Sequence, residues 1–209
     1  MARPLGSTWL KLGVALAVLA GGAALALGLG PLTGQFQQVA QGQGEALIGG
    51  PFELVDHTGQ MVTEADFAGK KMLIYFGYTY CPDVCPLGLA KIAAAYDRLS
   101  PAEQEELVPV FITVDPERDT VEAVADYVDL FHPAMVGLTG SPEAVAKAAK
   151  AYRVYYRKAE DENMNDYLVD HSSFTYLMDG ENRYLTHFGH DATAESIAEG
   201  LRQHLGGGA

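Results

Sequence analysis

The chain has 209 residues, 48% hydrophobic and 20% charged, a balance that fits one folded domain of ordinary size and excludes wholesale disorder. Twenty-seven acidic against 14 basic side chains give a formal charge of −13, which argues against a broad basic surface for a phosphate backbone, so no nucleic acid is expected as a partner. The two cysteines, Cys81 and Cys85, are too few for a disulfide framework and suit a reactive or metal-binding pair.

Arg3 and Lys11 precede the first acidic residue, Glu45, so a basic tip (1–11) leads an acidic body. Leu12 to Leu32 contains no charge, and at helical rise it extends roughly 30 Å, the depth of a bilayer's hydrocarbon core. Residues 12–32 are therefore expected to form one transmembrane helix in contact with membrane lipid. No Lys or Arg recurs until Lys70, which places the N-terminus in the cytoplasm and the rest outside, on the periplasmic side in a bacterium. The alternative is a cleaved signal peptide, because Ala24-Leu25-Ala26 resembles a small-residue processing site; the length of the apolar run favours retention. Residues 33–50, rich in Gln and Gly, read as a flexible linker, 51–205 as the folded domain and 206–209 as a frayed tail.

Within the domain, Phe52 to Val55 and Met61-Val62 flank Thr58-Gly59, as two short strands around a turn would. Lys71 to Phe76 is an apolar run suited to a strand buried on both faces. Leu89, Ile92, Ala93, Tyr96 and Leu99 then recur at helical spacing, with Pro86 expected at the first helical position and an end near Ser100-Pro101. Val108 to Val114 is a second buried strand, completing a β-α-β unit. Val121 to Phe131 marks a helix and Met135 to Leu138 a short strand. Ser141-Pro142-Glu143 caps another helix. Phe174 to Met178, Asp179-Gly180 and Arg183 to Phe188 read as a hairpin, followed by a helix from Thr193. The fold class expected from this order is α/β: a thioredoxin-like sandwich with a central mixed sheet and flanking helices, preceded by the transmembrane helix.

The segment Tyr78-Thr79-Tyr80-Cys81-Pro82-Asp83-Val84-Cys85-Pro86 concentrates the chemistry. Proline disfavours the α conformation in the residue before it, so a turn should present Cys81 while Cys85 lies near a helix N-cap. Unpaired amides and the helix dipole there favour thiolate, the form that binds a metal or attacks a disulfide, and both chemistries stay open. Two sulfurs under-coordinate most metals, which directs attention to a third ligand. Among six histidines, His171 has the best setting, in a loop just before the Phe174 strand; a surface or hydrogen-bonded histidine is the competing reading. His187 and His190 fall at the far end of the next hairpin strand, and His57, His132 and His204 lack comparable contexts. Thiolates with imidazole suit Cu(I) and can hold Cu(II) or Zn(II). In Val114-Asp115-Pro116-Glu117-Arg118-Asp119-Thr120, Asp119 or Thr120 could cap a helix while Asp115 faces the site end. Lys147, Lys150, Arg153, Arg157 and Lys158 form a basic cluster, read as a solvated face or a docking patch for an acidic partner.

Three motifs, Tyr80 to Pro86, Val114 to Thr120 and Asp166 to Ser172, agree in order with the Sco/SenC family of thioredoxin-like copper proteins, which the chain resembles from about Phe52 to Leu205. The resemblance implies Cys81, Cys85 and His171 as copper ligands, with Asp115 and Asp170 as supporting groups rather than assigned ligands. It also implies copper delivery to the dinuclear copper centre of cytochrome c oxidase, with the oxidase subunit carrying that centre as partner and a thioredoxin-like reductant or another copper chaperone as further partners. The rival is a thiol:disulfide oxidoreductase in which Cys81 attacks and Cys85 resolves, keeping the oxidase cysteines reduced. Whether the chain is an enzyme stays open between these two. A peroxidase and a purely structural or copper-sensing protein rank lower.

Overall fold

The strand β3, Lys71–Gly77, runs through the middle of the sheet because, after its lysine, nothing in KMLIYFG needs water; six of its seven residues are buried. Each large apolar side chain so placed contributes about 1.5–3 kcal/mol relative to exposure. The computed structural model describes residues 48–159 and 166–206. The expected tip, the anchor at 12–32, most of the linker and residues 207–209 lie outside them. Among the described residues no helix is long and apolar enough to cross a membrane. Ile48 packs on the core, and the Gly49 amide donates to the Ala151 carbonyl at 3.1 Å, so the end of the Gln/Gly-rich stretch lies against the domain.

Before β3, the strands β1 (Glu53–Asp56) and β2 (Met61–Thr63) pair antiparallel around a turn in which Gly59 takes a φ of +87°, a conformation that favours glycine. A 3-10 helix, Glu64–Phe67, leads into β3. Then come α1 (Val84–Tyr96), α2 (Pro101–Glu105), β4 (Leu107–Thr113), α3 (Val121–Asp129), β5 (Val136–Thr139) and α4 (Pro142–Ala151). β6 (Tyr156–Ala159), β7 (Leu168–His171), β8 (Thr175–Met178), β9 (Tyr184–Phe188) and α5 (Ala194–Arg202) complete the order. The main sheet runs β2-β1-β5-β4-β3-β8-β9, with β3, β4 and β5 parallel and the other pairings antiparallel. This is the mixed sheet with flanking helices expected of the domain. Alternation along β3 sends Tyr75 toward α1, where its ring lies against Gly88, and Phe76 to the other face, 5.4 Å from the ring of Tyr152 at the end of α4.

Three elements differ from the expectation. α1 begins two residues earlier, with Asp83 as N-cap, so Cys85 sits in the first helical turn and Pro86 at its third position. Amides of a first turn have no intrahelical acceptor, so a proline there removes no hydrogen bond and the restriction on the preceding residue yields. α1 also stops at Tyr96, and Ser100 starts a separate short helix, α2, through a capping box with Glu103. The pattern Ser100-Pro101-Ala102-Glu103 carries that signal. Finally, His171 is not on a loop: it ends β7, which pairs with β6 in a two-stranded ribbon separate from the main sheet. Four-residue strands interrupted by charge, such as Tyr156-Arg157-Lys158-Ala159, leave too short an alternation to read.

Candidate metal centre

β3 ends at Gly77, and the next four residues turn so that the Cys81 amide donates to the Tyr78 carbonyl at 3.2 Å. The turn delivers Cys81 to the start of α1, where the Cys85 amide donates to its sulfur at 3.4 Å. One free N–H of the helix start is thus spent on a sulfur. Cys85, one turn into the chain, points back into the core and is fully buried, whereas Cys81 keeps 7% exposure. Both are free thiols. Gly77 is required by this packing: a Cβ there would stand 2.9 Å from the Cys85 sulfur and 3.0 Å from the Tyr75 ring.

β7 brings His171 to the same place from 86 residues away, with Nε2 at 3.2 Å from the Cys85 sulfur. The Nδ1 atom lies 3.1 Å from the Ser172 carbonyl, which can only accept. Nδ1 therefore carries the proton of the neutral ring, and the Nε2 lone pair faces the sulfurs. The edges of Tyr75 and Tyr78 enclose the imidazole at centroid distances of 6.2 and 5.9 Å, each near perpendicular. The two sulfurs and Nε2 lie within 4.8 Å of one another. Donors at about 2.3 Å (sulfur) and about 2.0 Å (nitrogen) from a shared ion stand about 3.5–4 Å apart, so small side-chain shifts close this set on a metal. Two thiolates and an imidazole select a soft or borderline transition ion over magnesium or calcium.

The pair is electrically asymmetric. A hydrogen bond from the Cys85 thiol, aided by His171 and by the amides of Asp83 and Cys85, lowers the Cys81 thiol to about 4 against the opposing effect of burial. Cys85 is pushed far up, first by its bond to Cys81 and then by burial. Burial likewise drives the Tyr75 hydroxyl up, and that hydroxyl donates to the Val84 carbonyl at 3.4 Å. These shifts run in opposite directions: they favour the thiolate at Cys81 and the thiol at Cys85, which has both the Cys81 sulfur and Nε2 within reach.

Of the supporting groups expected, Asp170 alternates away from His171 and pairs with Arg157 at the surface, 3.3 Å apart, so the structure does not bring it to the site. The His171 ring rests on the Ser172 carbonyl instead, a partner that carries no side-chain signal. Asp115 is buried at the site end of the sheet, paired with Arg118 and accepting from the Tyr167 hydroxyl at 2.7 Å; it reaches the imidazole only through Arg118 and the Tyr78 ring. Thr120 caps α3, while buried Asp119 ties the thiol turn down by accepting from the Thr79 amide at 3.0 Å and from the hydroxyls of Thr79 and Thr113. Tyr75 carries no signal beyond its place in the apolar run of β3, whereas Tyr78 opens the segment that leads into Cys81. His187 bonds the Tyr184 hydroxyl, and the His190 carbonyl accepts from Lys91.

The family model described as SCO1/SenC matches residues 40–206. Over 162 residues, 78% of this chain and 48% of the relative, the chain is 49% identical to the mitochondrial SCO1 homolog 1 of Arabidopsis thaliana. It is 45% identical over 163 residues to the human mitochondrial SCO1 homolog, covering 78% of this chain and 54% of that one. The chain thus matches about half the length of these curated relatives. Among solved structures, Arabidopsis thaliana ScoI with copper bound superposes with a TM-score of 0.69 at 48% identity, over 75% of this chain and 96% of that chain. With a family match over most of its length and the mixed α/β sandwich described above, the chain belongs to the SCO1/SenC family.

Proposed function

We propose that this chain is a membrane-anchored copper metallochaperone that takes up copper as its cargo on Cys81, Cys85 and His171 and passes it to the copper-centre subunit of cytochrome c oxidase. The observation that carries the reading is the approach of two sulfurs and one imidazole nitrogen to within 4.8 Å of one another on a buried floor. A copper-bound relative at 48% identity supports copper as the ion, and the motif resemblance supports the oxidase as recipient. Cu(I) suits the two thiolates, and the imidazole extends the site to Cu(II). Transfer proceeds by ligand exchange in a docked complex, incoming donors replacing those of the chaperone one at a time. Exposed Tyr80, Val84, Leu87 and Phe174 flank the site segments, and a cleft of about 290 Å³ between α1 and β8 opens beside Tyr75, features suited to a docked partner. Residues 12–32 would anchor the chain, with the N-terminus cytoplasmic and the domain outside; a mature N-terminus near Leu27 by mass spectrometry would refute the anchor.

Anaerobic copper titration of the reduced full-length protein, with alanine variants at Cys81, Cys85 and His171, tests the carrier. One copper per chain is expected, lost or markedly weakened in each variant; His171→Ala with unchanged affinity would remove the imidazole from the ligand set.

A second reading is favoured by the asymmetry of the thiols. The Cys81 thiolate can attack a partner disulfide, forming a mixed disulfide and expelling one partner thiolate. Cys85 then attacks the Cys81 sulfur of the mixed disulfide and expels the second partner thiolate, which takes up the Cys85 proton; the pair is left oxidised and the partner dithiol reduced. Copper-free reduced protein that reduces a disulfide-bonded copper-centre fragment, with His171→Ala equally active, would establish this role beside copper transfer.

A further inference from the structure

We propose that Arg118 is the positioning residue that braces the histidine strand against the thiol turn, an inference that rests on the copper-carrier reading. Three separate segments meet at its guanidinium. On its own segment, the β4–α3 connection, Nε pairs with the Asp115 carboxylate, which is 1% exposed. On the approach to β7, Nη1 donates to the Tyr167 carbonyl at 3.1 Å and pairs with Asp166 at 3.0 Å. On the thiol turn, its face lies 4.8 Å from the centroid of Tyr80 and 5.9 Å from that of Tyr78, while the Tyr167 ring stacks at 3.8 Å.

Tyr78 relays the contact to both halves of the site. Its ring meets His171 edge-on at 5.9 Å, and its carbonyl accepts the Cys81 amide at 3.2 Å. Asp115 closes a second loop by accepting from the Tyr167 hydroxyl at 2.7 Å. Nη2 is buried without a hydrogen-bond partner, and the guanidinium carbon lies over the rings of Tyr80 and Tyr167, which attract a cation.

The need for a brace follows from the topology. A two-stranded ribbon is marginal by itself, and β6–β7 joins no strand of the main sheet. Its described ties to the rest of the domain include the buried Val169, the edges of Tyr75 and Tyr78 on His171, the Lys158–Glu117 ion pair at the surface and the Arg118 cluster. Of these ties, the Arg118 cluster joins the approach to β7, the β4–α3 connection and the turn that carries Cys81 at a single side chain. A lysine could keep the Asp115 charge pair but could not pair along its edge and stack on its face together.

The test uses the reduced full-length protein with two readouts: copper affinity by competition, and metal-free amide hydrogen exchange at Val169, Asp170 and His171. Arg118→Gln should weaken copper about tenfold to a hundredfold, as loss of groups that orient a ligand does, and speed exchange in β7 at least about tenfold. Arg118→Lys should fall between it and the parent. The double variant Arg118→Gln/His171→Ala should bind no more weakly than His171→Ala alone. Additive losses, or β7 exchange unchanged in Arg118→Gln, would overturn the brace. Should Arg118→Gln fail to fold with Asp115 left unpaired, Tyr167→Leu keeps the ion pair while removing the stacked ring; the same pattern is expected, and parental behaviour would overturn the proposal. A parent chain that binds no copper would sink the carrier reading instead, and the brace would stand or fall on the exchange rates.

Discussion

The thiol turn and the histidine strand reach one site by different means. Cys81 and Cys85 sit four residues apart where β3 passes into α1, locked by two local bonds donated by backbone amides, from Cys81 to the Tyr78 carbonyl and from Cys85 to the Cys81 sulfur. His171 arrives on a short ribbon outside the main sheet, held by one carbonyl, two tyrosine edges and the residues clamped around Arg118. One region is part of the core; the other is laid against it. Under the proposed carrier role this division has a use: the sulfurs are preorganised, and the imidazole is the donor on the more lightly held segment.

The comparison breaks first at the thiols. Cys85→Ser should abolish stoichiometric copper binding in an anaerobic titration, because it replaces a buried sulfur ligand by a hydroxyl that holds a soft ion poorly; retained one-to-one binding would mean the sulfurs do not share an ion. His171→Ala should cost less, about 3 kcal/mol or roughly a hundredfold in affinity by competition, with thiol exchange spared. A loss as large as that of Cys85→Ser would erase the distinction between the two regions.

Gly77→Ala tests how rigid the thiol side is. Its new methyl would stand 2.9 Å from the Cys85 sulfur, 3.0 Å from Tyr75 and 3.2 Å from Phe111, and such overpacking costs about 1–3 kcal/mol, read as a fall in the denaturant midpoint. An unchanged midpoint would show that the core beneath the thiols yields.

The pH dependence sharpens the same point. With Cys81 lowered from 9.0 to about 4, the folded chain binds fewer protons than the unfolded chain between these values. Its contribution to stability is therefore absent below about pH 4, grows with pH and is complete above pH 9. Cys85, pushed up, acts in the opposite sense above pH 9, where the unfolded thiol ionises and the folded one does not. Unfolding midpoints of the reduced protein, compared with Cys81→Ala, should differ more at pH 8 than at pH 5; an equal difference would remove the thiolate. The smallest effect is expected at Asp170→Ala, which breaks an exposed pair with Arg157 worth about 0–1 kcal/mol and leaves copper affinity unchanged.

Much of the frame was legible because its signals are local. The apolar run of β3, the Ser141 cap of α4 and the hairpin around Asp179-Gly180 depend on neighbours a few residues away, and each stands where its pattern put it. The start of α1 was harder, since the cost of a proline depends on whether its amide would have had an acceptor, which the helix register decides. β6 and β7 were invisible because their signal is mutual: Tyr156 pairs with His171 and Arg157 with Asp170, and neither strand alternates long enough to declare itself.

By itself the sequence determined a buried strand ending in a turn with two thiols, since strand period, proline positions and cysteine spacing are all short-range properties of the chain. Only the tertiary structure decided that His171 turns inward while Asp170 turns out, that Ser172 rather than a carboxylate orients the ring, and that Arg118 stands between the two halves of the site. Those outcomes depend on strand pairing and ring packing between segments dozens of residues apart, which no local pattern encodes.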